Sequence, residues 1–168
     1  MGRVVTREEA ARERRAARDT GKKFVFTNGC FDILHRGHVE ILGAAKALGD
    51  VLCVGINSDD SVRRLKGERR PIVAVADRAA VVAALGAVDL VTVFDEDTPA
   101  ELISLLVPDV LVKGEDYPLD RVVGRAEVER AGGVVVRVPL RGGFSTEKML
   151  REITRRYRDV VRGEKPDG

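Results

Sequence analysis

Phe24-Val25-Phe26-Thr27-Asn28-Gly29-Cys30-Phe31-Asp32-Ile33-Leu34-His35-Arg36-Gly37-His38 is the stretch on which the fold turns. Its first four residues, Phe24 to Thr27, are aromatic, β-branched or both in alternation, and read as a short strand. Asn28 to Asp32 then supply the small and polar residues of a loop. From Gly37 to Leu48 the apolar positions Val39, Leu42 and Ala45 recur at helical spacing, and Gly49 stands where a helix ends. A strand, a polar loop and a helix in that order form the opening unit of a parallel sheet covered on both faces.

The same alternation continues outward. Val51 to Ile56 reads as a strand, and Asn57-Ser58-Asp59 opens a short helix carrying Val62 and Leu65, with Ser58 or Asp59 as its cap. After the polar loop Lys66 to Pro71 comes an Ala- and Val-rich helix, Asp77 to Leu85, then a strand, Leu90 to Phe94. Thr98-Pro99 starts a helix whose apolar face is Leu102, Leu105 and Leu106, and Val110 to Val112 is the next strand. A helix at Ala126 to Arg130 leads to a fifth strand, Val134 to Val138. The last helix begins near Ser145 and is expected to turn Met149, Leu150, Ile153 and Tyr157 inward. In the other direction, Thr6 to Asp19 carries Arg and Glu on nearly every face and reads as a solvated helix or arm. The expected organisation is an N-terminal arm at 1–20, one domain at 21–158 and a tail at 159–168. That domain is α/β, with a doubly wound five-stranded parallel sheet of Rossmann-like form, and its ligand is expected beyond the carboxyl ends of the strands.

Composition narrows the function. The 168 residues suit one compact domain and leave no room for a second catalytic core. A formal charge of +2 gives no reason to expect a nucleic-acid or membrane partner, although a local basic pocket for phosphates fits it. The longest uncharged run, Ala79 to Val88, is about half of a membrane span. Cys30 and Cys53 are the only cysteines and form no Cys-x-x-Cys pair, so a reduced, cytoplasmic setting is expected.

His35 and His38, the only histidines, fall where the first strand's loop becomes a helix. Gly37 between them permits close approach, and the unpaired N–H groups of a helix start receive phosphates. A zinc site competes, because histidines three apart on a helix can chelate, but no cysteine or third ligand accompanies them. The loop lacks Gly-x-Gly-x-x-Gly, which argues against a dinucleotide. Ser145 reads equally as a helix cap and as a phosphate ligand, roles that can coexist. Lys66, Arg69 and Arg70 read by themselves as a solvated loop. Cys30 reads as a small buried residue, although its place near a helix start is one that can lower a thiol pKa.

Gly29-x-Phe31-Asp32-x-x-His35-x-Gly37-His38 resembles the signature of the cytidylyltransferase-like nucleotidyltransferases. More of the chain, from about Lys22 to Ile153, is similar to the D-glycero-β-D-manno-heptose 1-phosphate adenylyltransferases, a group that also occurs as the C-terminal half of a bifunctional kinase and adenylyltransferase. The segments that carry this likeness include Val54 to Asp59, Arg63 to Gly67, Arg70-Pro71, Phe94 to Pro99, Pro108 to Gly114 and Asp116-Tyr117. The resemblance implies transfer of AMP from ATP, with Mg²⁺, to a sugar 1-phosphate supplied by a separate kinase, and a homodimer. It implies that His35 and His38 contact the α-phosphate and the departing pyrophosphate, and that Lys66 reaches phosphate oxygens. Thr27, Asn28, Gly29, Cys30 and Phe31 then hold the nucleotide's phosphate region, Lys113, Gly114, Asp116 and Tyr117 its base or ribose, and Ser145 and Thr146 its triphosphate. Asn57, Asp59 and Arg70 fall on the substrate side with Asp32, which fixes the loop rather than acting as a base. Two positions depart from the group's pattern, Glu115 for a usual glycine and Glu147 for a usual small hydroxyl. The alternatives are a cytidylyltransferase acting on glycerol 3-phosphate and a non-catalytic nucleotide-binding module.

Overall fold

The computed structural model describes residues 1–139 and 145–158; the expected tail at 159–168 lies outside them. Its centre is a six-stranded parallel sheet. In chain order the strands are β1 (Arg3–Val4), β2 (Phe24–Gly29), β3 (Val51–Asn57), β4 (Leu90–Phe94), β5 (Val110–Gly114) and β6 (Val134–Val138), arranged β1-β4-β3-β2-β5-β6. The helices are α1 (Arg7–Asp19), α2 (Arg36–Lys46), α3 (Asp59–Lys66), α4 (Val75–Ala83), α5 (Ala100–Leu106), α6 (Arg125–Arg130) and α7 (Thr146–Arg156). None of the described helices is long and apolar enough to cross a membrane.

Alternation along each strand separates two cores. Val25 of β2, Leu52, Val54 and Ile56 of β3, and Val110 and Val112 of β5 enter one core, with Leu42 of α2 and Val82 of α4. Phe24, Phe26, Cys53 and Leu111 enter the other, with Leu102, Ile103 and Leu106 of α5. Both faces of the sheet are therefore covered, which is why these strands read as nearly continuous apolar runs.

Three expectations change. The sheet has six strands rather than five, because Arg3 and Val4 pair with Leu90 and Val91 at its edge. Two residues are too few to show alternation, and Gly2 makes the approach feasible: a Cβ there would lie 2.5 Å from the Val88 carbonyl oxygen. α1 is not solvated all round. Thr6 and Glu9 form a reciprocal capping box. Ala10, Ala11 and Ala17 are buried, and Arg14 donates to the carbonyl oxygens of Leu106 and Val107 at the end of α5. The third change concerns apolar faces. Ile103, not Leu105, completes the buried face of α5, and α7 buries no residue, leaving Ile153 and Tyr157 about half exposed.

Candidate active site

Strand order reverses beside β2, with β3 on one flank and β5 on the other. A cleft of about 600 Å³ opens there at the carboxyl ends of the strands, the position expected for ligands in doubly wound sheets. The end of β2 contributes Thr27, Asn28 and Gly29 to its wall, the connection to α2 adds Cys30, Phe31, Asp32 and His35, and the first turn of α2 adds His38. Asn57, Lys66 and Arg70 border it on the β3 side, and Lys113, Gly114, Asp116 and Tyr117 on the β5 side. Ser145, Thr146 and Glu147, at the start of α7, close the perimeter. Asp59 alone among the expected site residues is absent from this wall.

The histidines sit over the first turn of α2, His35 at the N-cap and His38 three residues on, a spacing that brings side chains together. Their rings stack with centroids 3.8 Å apart and planes 17° from parallel. The Phe31 ring packs against His38 at 5.0 Å, and Phe31 adopts φ +48°, a left-handed conformation that an aromatic residue rarely holds. Gly29 leaves space for that ring, since a Cβ there would meet it at 3.2 Å. Burial, and then the neighbouring imidazole, push His38 down to about 4, and burial also lowers His35. Both rings are therefore neutral near pH 7, each with one N–H to donate. His35 Nδ1 is buried and has no hydrogen-bond partner among the described residues. Such a pair lacks a counter-anion, and a phosphate placed against it would favour protonation as well as accept its hydrogen bonds.

The cations differ in how they are held. Lys66, at the end of α3, is exposed and has no ion-pair partner among the described residues. Lys113 is enclosed, and burial pushes its ammonium down to about 8. Its Nζ donates to Asn28 Oδ1 and lies 5.7 Å from the centre of the Tyr117 ring. Ser145 Oγ accepts the backbone N–H of Lys148 at 3.2 Å, so it is a helix cap that also lines the cleft. Of the two departures, Glu115 is exposed and outside the cleft wall, whereas Glu147 lines the cleft and pairs with Arg151 at 2.9 Å.

The expected acidic ligands have other tasks. The Asp32 carboxylate is fully enclosed and accepts the N–H groups of Ile72 at 2.8 Å and Val73 at 2.9 Å, and Nε of Arg70 at 2.5 Å. Burial pushes its carboxyl up, but the two amides and the guanidinium outweigh it and hold the group below the usual carboxylate range. These bonds hold the loop, as expected of Asp32, while the residue also lines the cleft. Arg70 lines the cleft while tied to that carboxylate. Asp59 pairs with Arg78 Nη2 at 2.7 Å and stands outside the cleft wall, apart from the other residues expected on the substrate side. Thr27 Oγ1 donates to the Val112 carbonyl oxygen at 3.0 Å, and Asn57 Nδ2 to Ser61 Oγ at 3.0 Å. Burial pushes the Cys30 thiol up, in keeping with its reading as a small buried residue rather than an activated thiol.

Sequence reasoning missed Arg78. Its guanidinium is wholly buried and donates to the carbonyl oxygens of Val73 at 2.9 Å, Asn57 at 2.9 Å and Cys30, besides the Asp59 carboxylate. It thereby joins the histidine loop to β3, α3 and the segment before α4. The available signal was a charge inside an otherwise apolar helix, since Asp77 and Arg78 are the only charged residues from Ile72 to Val88.

The profile described as cytidylyltransferase-like matches residues 26–162. The bifunctional protein HldE of Geobacter sulfurreducens is 54% identical over 142 residues, 84% of this chain and 29% of that protein. That of Acidiphilium cryptum is 55% identical over 146 residues, 87% of this chain and 30% of that protein. The chain thus spans less than a third of the length of these curated relatives. Among solved structures, a lipopolysaccharide core biosynthesis protein from Thermoplasma volcanium aligns with TM-score 0.60 and 30% identity, covering 74% of this chain and all of that one. The pantoate-beta-alanine ligase of Francisella tularensis, at 15% identity and TM-score 0.65 over 96% of this chain and 80% of its own, shares the fold.

Proposed function

The chain belongs to the cytidylyltransferase-like family, and from that membership we propose that it transfers AMP from ATP to D-glycero-β-D-manno-heptose 1-phosphate, giving an ADP-heptose and pyrophosphate. An oxygen of the sugar phosphate attacks the α-phosphorus of ATP; the bond from that phosphorus to the β-phosphate oxygen breaks, and its electron pair leaves with pyrophosphate. No covalent intermediate on the protein is involved, so the residues act by positioning and by balancing charge. His35 and His38 donate hydrogen bonds to the α-phosphate and the leaving pyrophosphate. The backbone from Asn28 to Phe31 lies along the phosphates, and Lys66 supplies a mobile positive charge. Ser145 and Thr146 offer hydroxyls and free helix-start N–H groups to the triphosphate, while Lys113 to Tyr117 take the nucleoside.

The observation that carries this reading is the stacked, neutral histidine pair at the strand-order reversal, without a partner for His35 Nδ1 among the described residues. Identity above half to HldE proteins over most of the chain supports an adenylyltransferase with a heptose phosphate as acceptor. Mg²⁺ enters this proposal with ATP, where it neutralises phosphate charge. A cytoplasmic setting fits the two free cysteines. A homodimer fits the exposed apolar Ile72 and Val81 beside and on α4, and sedimentation of the purified chain tests it.

Pyrophosphate release, measured with ATP and CTP against a panel of sugar 1-phosphates and glycerol 3-phosphate, tests the activity. Release with ATP and heptose 1-phosphate is the expected result. Release only with CTP and glycerol 3-phosphate, or nucleotide binding without any release, overturns it.

A further inference from the structure

Beyond Lys66, the cleft has a wall to which the transfer chemistry gives no task. The connection from β4 to α5 brings Asp97, Thr98 and Pro99 there, beside Leu65. The connection is anchored from behind. Arg7 pairs with the Glu96 carboxylate through both terminal guanidinium nitrogens, Ser61 Oγ donates to the Glu96 carbonyl oxygen at 2.9 Å, and the Ser58 hydroxyl donates to Asp95. Asp95 and Glu96 are thus occupied in holding the segment. Asp97 is only half engaged: Oδ1 accepts Arg64 Nε at 2.6 Å, while Oδ2 has no protein partner among the described residues. The Thr98 hydroxyl likewise has none.

Charge decides what this wall faces. A carboxylate turned toward a polyphosphate opposes its binding, whereas toward neutral hydroxyl groups it is a strong hydrogen-bond acceptor. The two histidines belong to the turn from β2 into α2 and Lys66 to the end of α3, whereas Asp97 and Thr98 come from the connection between β4 and α5. Exposed Leu65 adds apolar surface of the kind that packs on the C–H face of a sugar ring. We propose that Asp97 and Thr98 read the ring hydroxyls of the acceptor and so determine which phosphorylated sugar is used. This rests on the transferase reading above for its substrate, a polyhydroxylated sugar 1-phosphate.

The test uses the whole chain with two readouts, pyrophosphate release and calorimetric binding of heptose 1-phosphate. Asp97→Asn and Thr98→Val preserve size, and thermal unfolding checks that each variant is folded. Each is expected to raise both KM and Kd for the sugar phosphate about 10-fold and to leave KM for ATP within about twofold of wild type. An acceptor analogue that keeps the phosphate but lacks the ring hydroxyls should bind wild type and variants alike. Unchanged Kd for heptose 1-phosphate in both variants, or a parallel rise in KM for ATP, overturns the proposal. If wild type binds heptose 1-phosphate but releases no pyrophosphate, the transferase reading fails and Kd alone decides the role of Asp97 and Thr98. If wild type binds no sugar phosphate, both fail.

Discussion

The β2–α2 connection and the start of α7 face the same cleft, yet they are held in opposite ways. The first is fixed by Asp32, by the buried Arg78 and by a Phe31 backbone in the left-handed region. The second rests on the Ser145 cap and on exposed pairs such as Glu147 with Arg151, with no buried residue in the helix. Preorganised donors lower the cost of reaching a transition state, because they need not reorganise as charge moves. A helix with little buried surface belongs to the low-stability end of a protein and is easily displaced, which suits substrate entry and product release. The contrast separates a firmly held floor from a loosely held rim, to which the proposed reaction gives catalysis and binding respectively.

The largest effect is expected at the floor's hidden support. Arg78→Met leaves the Asp59 carboxylate partly uncompensated and three carbonyl oxygens short of a donor, and should cost about 3–5 kcal/mol of stability. Chemical denaturation of the variant against wild type measures it; a loss below about 1 kcal/mol would show that the network does not fix the loop. Next in size, His35→Ala or His38→Ala should lower kcat about 10²-fold or more while the chain stays folded. Nearly normal turnover in both variants would break the division into floor and rim.

Ser145→Ala tests the rim. Loss of the cap should remove about 1 kcal/mol of local helix stability and raise KM for ATP more than it lowers kcat. A fall in kcat with unchanged KM would move Ser145 to the catalytic floor. Acid pH gives a further test. The unfolded His38 imidazole takes a proton at its ordinary 6.5 and the folded one only at about 4, so in that window the unfolded chain binds more protons. Stability should fall as pH drops from 6.5 toward 4, with no contribution from His38 above that range, and His38→Gln should flatten the slope of Tm against pH. Bound ATP should reduce the loss by favouring the protonated imidazole. The smallest effect is expected for Glu147→Thr, which removes a carboxylate from the rim and should lower KM for ATP by only about two- to fivefold, since the group is exposed and paired. A higher KM in a steady-state titration would show that Glu147 assists nucleotide binding.

Legibility in the sequence follows distance along the chain. The turn from β2 to α2 was readable because its parts are neighbours: Gly29 and Phe31 are two residues apart and the histidines three, so helix geometry alone brings His35 and His38 together. The partners of Asp32 and Asp59 were not, although Asp32 already reads in the sequence as fixing the loop. Asp32 bonds Ile72 and Val73 from 40 and 41 residues away, and Asp59 meets Arg78 across 19. An acidic residue beside a phosphate loop looks the same in sequence whether it faces a ligand or a buried amide. Ile153 and Tyr157 recur at the spacing of an inward face, but periodicity records amphipathic character and not whether anything covers that face.

By itself the sequence determined the parallel, two-faced sheet and the placing of two imidazoles at the start of a helix, because strand alternation and the helical repeat are local consequences of backbone geometry. Only the tertiary structure decided that Arg78 is the clamp, that Asp32 holds the amides of Ile72 and Val73 and that Asp97 and Thr98 stand at the cleft. Those outcomes depend on which distant groups share a space emptied of water, where every polar atom must find a partner, and that pairing is set when the layers pack.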